Sequence, residues 1–487
     1  MGIDKNIFYI PALCFLIILI YYVLALYPMT EVFSFENDLG SHIARLNFFE
    51  KYGYSGPAPE WYEGYKPFEL YPPGIFFFLY VLNLFMQDSL AVWYAGLVLI
   101  LLMGIGSFLL FGKIVKIASF KAMTYFLFFF ASPLMMLNIV RLGRYPEVFG
   151  WLIFILFCCG VYYFREKRIN WMFIPFILIY SFLMLAYMYI FVVASILILS
   201  LFLIKKGRER LFVFLGGLIS FALTFFWWKD FLYFRFGEVY QYGAGLELLE
   251  LSSIVSFNTI IMAAFFILFV FYIKSLKTKK DEFIFYVPLL LMAMLLASRL
   301  LIFIPILNNI PINTYSIFYL FVLIFFLMKS EFGRWSKLVS LALLFISIGS
   351  MVFLLITVQP HLRYSEKDKG YIDVLANVEG KFLFISLSDE SYAEKMLAYG
   401  YVFYDVHTPS GFYLWILESK PDLKKRIKYA YTSYKEHSCE KLKHSLESLY
   451  LKEFFVEQDG CSFIKECGFE LKKEFKVGCL FYSRIQE

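Results

Sequence analysis

Charge is scarce in this chain. Only 17% of its 487 residues are Asp, Glu, Lys or Arg, where a soluble domain carries about 25%. In their place 61% are hydrophobic and 22% aromatic, and the mean hydropathy is +0.68. That shortage excludes a soluble fold for most of the chain, because too little polar side chain is present to cover the apolar remainder. Repeats of fixed period and low-complexity tracts are also missing. The first apolar run, Ile7 to Pro28, lacks a small-residue cleavage site before Thr30 and is too long for a signal peptide, so it reads as a retained first helix.

The apolar residues arrive in runs of roughly 17 to 25, the length that crosses about 30 Å of hydrocarbon. Basic stretches at Lys113 to Lys121, Arg165 to Arg168, Lys205 to Arg210, Lys274 to Lys280 and Lys329 to Lys337 interrupt them and mark cytoplasmic loops. The net charge of +6 is therefore a topology signal, and no nucleic-acid partner is expected. Acidic residues dominate 29–71 instead, with Glu31, Glu36, Asp38, Glu50, Glu60, Glu63 and Glu69, which places that segment outside. Spans are predicted near 7–28, 90–112, 122–140, 147–164, 170–186, 188–204, 211–228, 254–273, 283–300, 313–328 and 338–358. About eleven crossings leave the N-terminus cytoplasmic and the C-terminus outside. The run Ile75 to Met86 is short for a span and, opened by Pro72 and Pro73, reads as an interfacial or re-entrant helix. The alternative, one more crossing, would move Lys113, Lys116 and Lys121 outside.

After Gln359 the apolar runs shorten to strand length, at Lys381 to Leu387, Gly400 to Val406, Leu451 to Glu457 and Val477 to Ile485, separated by charged amphipathic stretches such as Pro421 to Tyr434. This predicts a soluble α/β domain over 360–487. Cys439, Cys461, Cys467 and Cys479 all fall within it, on the side read as external, and fit two disulfides in any of three pairings. A zinc site is the rival, although no pair has the tight spacing usual for zinc.

The external loop opens with Glu36, Asn37 and Asp38, followed by His42 and Arg45. Two carboxylates two residues apart can share a proton or hold a divalent cation such as Mg or Mn. A helix starting near Asp38 would put Asp38, His42 and Arg45 on one face. The structural reading of the same residues is an N-capping Asp in a solvated acidic loop. Trp61, Tyr65 and Tyr71, with Phe68 and the prolines, form either an interfacial belt or a stacking surface for a sugar or prenyl chain. A second cluster, Arg141, Arg144 and Glu147, breaks the charge rule by placing arginines outside. Guanidinium forks match phosphate oxygens, and Glu147 could complete a cation site with Glu36 and Asp38; a lipid-headgroup anchor is the plainer alternative. Tyr187 and Tyr189 at the next outer turn are weaker candidates, as is Arg299, which either snorkels or meets an anion.

With Glu36 and Asp38 in the first outer loop, His42 and Arg45 after them, Tyr71 to Pro73 at its border and Arg144 to Glu147 in the second outer loop, the chain resembles the GT-C superfamily of membrane glycosyltransferases. More narrowly it is similar to membrane proteins labelled 6-pyruvoyl-tetrahydropterin synthase-related, a label that implies no pterin chemistry. The resemblance implies a polytopic α-helical membrane protein with a GT-C-like domain over 1–359, an outer catalytic loop at 29–74 and an extracytoplasmic α/β domain. It further implies a polyprenyl-phosphate-linked sugar donor, a glycan, lipid or protein acceptor, Asp38 as the first-loop catalytic acid and Glu147 as the second acidic site. Glu36 and His42 would assist Asp38, with Arg45, Arg141, Arg144 and Arg299 holding the donor phosphate. A transporter or flippase of lipid-linked saccharides and a non-catalytic envelope protein are the rival classes. Charges confined to outer loops disfavour the first of these.

Overall fold

The computed structural model describes residues 13, 38–69, 71–86, 88–236, 257–275, 279–304, 306–330, 336–358, 366–385, 390–411, 417 and 419–483. Glu36, Cys14 and the first expected span lie outside these residues, and the side chain of Arg141 is not described.

The chain is largely helical. After α1 (Leu39–Tyr52) come α2 (Gly74–Met86), α3 (Ser89–Ile114), α4 (Ser119–Phe130), α5 (Pro133–Met136), α6 (Tyr145–Glu166), α7 (Phe173–Ala186), α8 (Met188–Ile204), α9 (Gly207–Leu223) and α10 (Phe225–Phe236). Four more apolar helices follow: α11 (Phe257–Ser275), α12 (Lys279–Ala297), α13 (Ile312–Lys329) and α14 (Ser336–Val358). Among the described residues, α3, α6 and α13 are long and apolar enough to cross a membrane, and a bent α4–α5 pair makes up to four. A helical membrane protein is what these elements support.

The span expected over 122–140 is broken. Pro133 has no amide to continue the α4 ladder, so it opens α5 while Ser132 Oγ accepts the Met135 amide at 3.3 Å. The pair bends by 50° there, and a π-type turn, Leu137–Arg141, leads into the loop that carries Arg144. α6 lies at the centre, packed against α3, α7 and α8, with 83% of its apolar window buried. The stretch Ile75 to Met86 is a single helix, α2, as expected; it packs on α1, α3, α7 and α6.

Beyond Glu366 lie α15 (Glu366–Leu375), β1 (Phe382–Phe384), α16 (Glu390–Tyr404), α17 (Pro421–Lys435), α18 (Cys439–Ser448), β2 (Glu453–Glu457), α19 (Cys461–Glu466), β3 (Leu471–Phe475) and β4 (Gly478–Tyr482). The sheet order is β1-β2-β4-β3, parallel between β1 and β2 and antiparallel elsewhere. Three of the four expected strands are there. Gly400 to Val406 is the exception: residues 400–404 finish α16, whose Ala398 and Tyr401 pack into the core beside α1, so burial on a helical period overrides the strand propensity of the run Tyr401 to Tyr404. The fourth strand is β3, whose charged LKKEF sequence suits an exposed edge. The disulfides pair Cys439 with Cys467 and Cys461 with Cys479, at Cα separations of 5.2 and 5.8 Å.

α1 belongs to two cores at once. Leu39, Ile43 and Leu46 pack into the apolar helices, while Ala44 and Phe48 pack with Leu383, Ala398 and Tyr401 of the C-terminal unit.

Candidate functional site

α1 places the first three candidate residues on one face, as their spacing predicts. Asp38 sits at the N-cap position, yet its carboxylate makes no capping hydrogen bond to the helix amides. Asp38 Oδ2 accepts instead from Arg144 Nε at 3.4 Å. The Asp38 amide also donates to the Leu142 carbonyl at 2.9 Å. The two loops, 106 residues apart in sequence at this pair, are thus joined through backbone and side chain. Both side chains keep solvent access, at 37% for Arg144 and 27% for Asp38. An ion pair that open to water contributes little stability.

One turn along, His42 is buried among aromatic rings, with Trp93 stacked at 5.7 Å and Tyr71 at 5.6 Å. Burial, then the nearby Arg45 and Arg144 charges, hold its pKa well below the usual histidine range, so it is neutral. Its Nε2 is buried and makes no hydrogen bond among the described residues. Arg45 is fully buried; its guanidinium lies 4.1 Å from the centre of the Tyr71 ring, and its Nε donates to Tyr65 Oη at 3.2 Å. Arg45 Nη1 comes within 3.4 Å of His42 Nδ1. Burial raises the Tyr65 pKa, against the pull of Arg45, so the phenol keeps its proton.

The second loop contributes Arg144 at the N-cap of α6 and Glu147 in its first turn. Gly143 takes the left-handed conformation, φ 61°, that turns the chain back so that the Arg144 amide reaches the Asn138 carbonyl at 2.9 Å. Glu147 is buried, with Tyr187 Oη at 3.5 Å from Oε2 and Arg144, Asn138 and Trp151 beside it. Glu147 Oε1, Asn138 Nδ2 and Trp151 Nε1 close no hydrogen bond among the described residues. Tyr187 approaches because position 150 is glycine; a Cβ there would lie 2.7 Å from Tyr187 Cβ.

Asp38, His42, Arg45, Tyr65, Tyr71, Arg144 and Glu147 therefore form one connected neighbourhood. Trp61 does not line it: its ring is fully buried at 5.1 Å from Phe48 and 6.0 Å from Tyr401. Arg299 occupies a left-handed turn, φ 61°, between α12 and the turn Leu300–Phe303. Among the described residues no group of three or more His, Cys, Asp or Glu side chains stands close enough to hold a metal, and Glu36, a member of the expected carboxylate set, is not described. The donors next to Asp38 are instead cationic, which suits an anion better than a metal ion. Trp93, Asn138 and Trp151 were not singled out by the sequence; a lone amide in the run Met135 to Val140 is the signal that could have found Asn138. No family model matches this chain, and no curated protein matches it either, so its likeness to other proteins adds nothing to this geometry.

Proposed function

We propose that the protein is a membrane glycosyltransferase of about eleven crossings that takes a sugar from a polyprenyl-phosphate-linked donor at the outer membrane face. The observation that carries this reading is the Asp38–Arg144 pair: a carboxylate and a guanidinium from separate loops, in contact, reachable by solvent, with the buried Arg45 charge about two turns further along α1. Asp38 accepts the proton of the acceptor hydroxyl as that oxygen bonds to the anomeric carbon. The bond from the anomeric carbon to the phosphate oxygen breaks, and its electron pair leaves on the lipid phosphate. As Asp38 becomes neutral, Arg144 exchanges it for the phosphate, whose charge it stabilises with the fixed positive charge of Arg45. The neutral His42 and the Tyr71 ring hold Arg45 in place without cancelling its charge.

Asp38→Asn tests this directly. Removing a general base typically costs about 100-fold to 10,000-fold in rate, whereas losing a solvent-accessible ion pair costs only about 0–1 kcal/mol of stability. Sugar transfer from polyprenyl-phosphate donors in membranes should nearly vanish while the melting temperature stays near wild type. Arg144→Ala should lower kcat and kcat/KM together, because its guanidinium meets the phosphate only as the leaving group's charge develops. An Asp38→Asn protein with wild-type transfer refutes the assignment.

A further inference from the structure

The turn after Trp61 is strained, and the C-terminal unit holds it. Tyr62 and Glu63 have φ of 52° and 56°, followed by Gly64 at 104°. Two consecutive non-glycine residues in that region are strained and persist only where surroundings enforce them. Here the surroundings are three cations from distant parts of the chain. Lys420 Nζ donates to the Tyr62 and Gly64 carbonyls at 2.6 and 3.0 Å. Arg426 Nη2 and Lys381 Nζ meet the Glu63 carboxylate at 2.5 and 2.8 Å. Glu63 is accordingly held below the usual carboxylate range, its partly buried position opposing Arg426 and Lys381. Backbone bonds complete the seam, with the Thr408 amide on the Glu60 carbonyl at 2.7 Å and the Tyr62 amide on the Ser410 carbonyl at 3.3 Å. Gly411 lies so close to the Tyr62 ring that a Cβ there would come within 2.5 Å of it.

This turn leads straight into the site. Tyr65, two residues after Glu63, has its amide on the Trp61 carbonyl at 3.0 Å and its phenol on Arg45 Nε at 3.2 Å. On the other side α16 packs along α1, with the Tyr401 ring tilted against Phe48 at 4.5 Å and Ala398 Cβ facing Gly40. The cations of the C-terminal unit thus reach Arg45 through one short chain of contacts: Glu63, the strained turn, Tyr65.

We infer that Glu63 is a positioning residue, and that the C-terminal unit sets the placement of Arg45 and of α1 by clamping the 61–64 turn, which makes that unit a working part of the site. The kinetic consequence rests on the glycosyltransferase reading; the mechanical one does not. Misplacement of a site by a distant change costs up to about 100-fold.

The experiment compares full-length wild type, Glu63→Gln, Lys420→Met and the charge-keeping Glu63→Asp, by hydrogen exchange and by transfer kinetics. Expected in Glu63→Gln and Lys420→Met is loss of amide protection at 58–65 that spreads to α1, with kcat reduced about 10-fold to 100-fold and KM little changed. Glu63→Asp, which keeps the charge that Arg426 and Lys381 meet, should retain most of both. Loss confined to 58–65, with α1 as protected as in wild type, overturns the inference, as does an unchanged kcat. If wild type itself shows no transfer, the glycosyltransferase reading fails while the exchange data still decide the coupling.

Discussion

His42 is the residue whose chemistry reports the site most cleanly. In the folded protein it is neutral, with its pKa lowered by burial and by Arg45 and Arg144, whereas the unfolded chain titrates it near about 6.5. Between the depressed folded value and about 6.5 the unfolded state binds more protons, so stability falls as pH drops below about 6.5, by at most about 1.4 kcal/mol per pH unit from this group. His42→Phe keeps an aromatic ring against Trp93 and Tyr71 and removes the proton site. Thermal melts in detergent between about pH 7.5 and about pH 5.5 should show a shallower acid loss in His42→Phe than in wild type. Parallel curves for the two proteins would refute the buried neutral imidazole. Arg45 is the counterpart: its planar guanidinium lies over the Tyr71 ring and bonds Tyr65, a geometry that a lysine ammonium does not reproduce.

At the scale of elements, close approach of helix ends builds the floor under these residues. Gly74 opens α2 against the end of α7, where a Cβ would meet the Leu185 carbonyl oxygen at 2.7 Å and Ala186 Cα at 2.8 Å. Both obstacles are backbone, which cannot rotate away. Gly74→Ala should therefore destabilise by about 1–3 kcal/mol, the usual range for overpacking. Gly106, inside α3, has nothing within 4 Å of its Cβ position, so Gly106→Ala should be neutral or stabilising by up to about 1 kcal/mol through helix propensity. Melting temperatures of the two variants check this; equal shifts would mean that the α2–α7 contact is looser than described. The elements themselves were unevenly legible. The helix from Asp38 was readable because Asp38, His42 and Arg45 repeat at helical spacing, and the role of Asp38 was not, because an N-cap position and an ion pair to a loop 106 residues away look identical locally. The helix break at Ser132–Pro133 was written in the sequence but hidden by the apolar run around it. Gly400 to Val406 misled because its aromatic run fits a strand, and only the partner helix α1 reveals the helical face. The clamp on Glu63 was invisible, since its cations come from residues 381, 420 and 426.

For the whole molecule the long central helix sets the two ends apart. α6 has 22 residues, or roughly 33 Å at 1.5 Å per residue, enough to span the hydrocarbon. Its N-terminal end has Arg144 at the N-cap, paired with Asp38, and Glu147 in the first turn; its last turn carries Arg165, paired with Glu282, and Glu166, 3.4 Å from Lys116. Lys121 and Lys329 gather at that far end, on the Met328 and Val115 carbonyls. At the near end the C-terminal unit touches the first loop directly, with Lys420 on the Tyr62 carbonyl at 2.6 Å, so the loop and the unit share one side of any bilayer that α6 crosses. The charge rule assigns the basic end to the cytoplasm. Single cysteines at the exposed positions Lys51 and Lys428 should then react with an impermeant maleimide in intact cells, and a cysteine at Lys116 only after permeabilisation. With Cys14, which lies outside the described residues, replaced by Ser, the background is low, because Cys439, Cys461, Cys467 and Cys479 are disulfide-bonded and Cys158 and Cys159 are buried. Labelling of positions 51 and 428 from opposite sides would contradict the seam, and labelling of position 116 together with them would contradict α6 as a span; a fully inverted pattern would keep the architecture and reject the outer-face site.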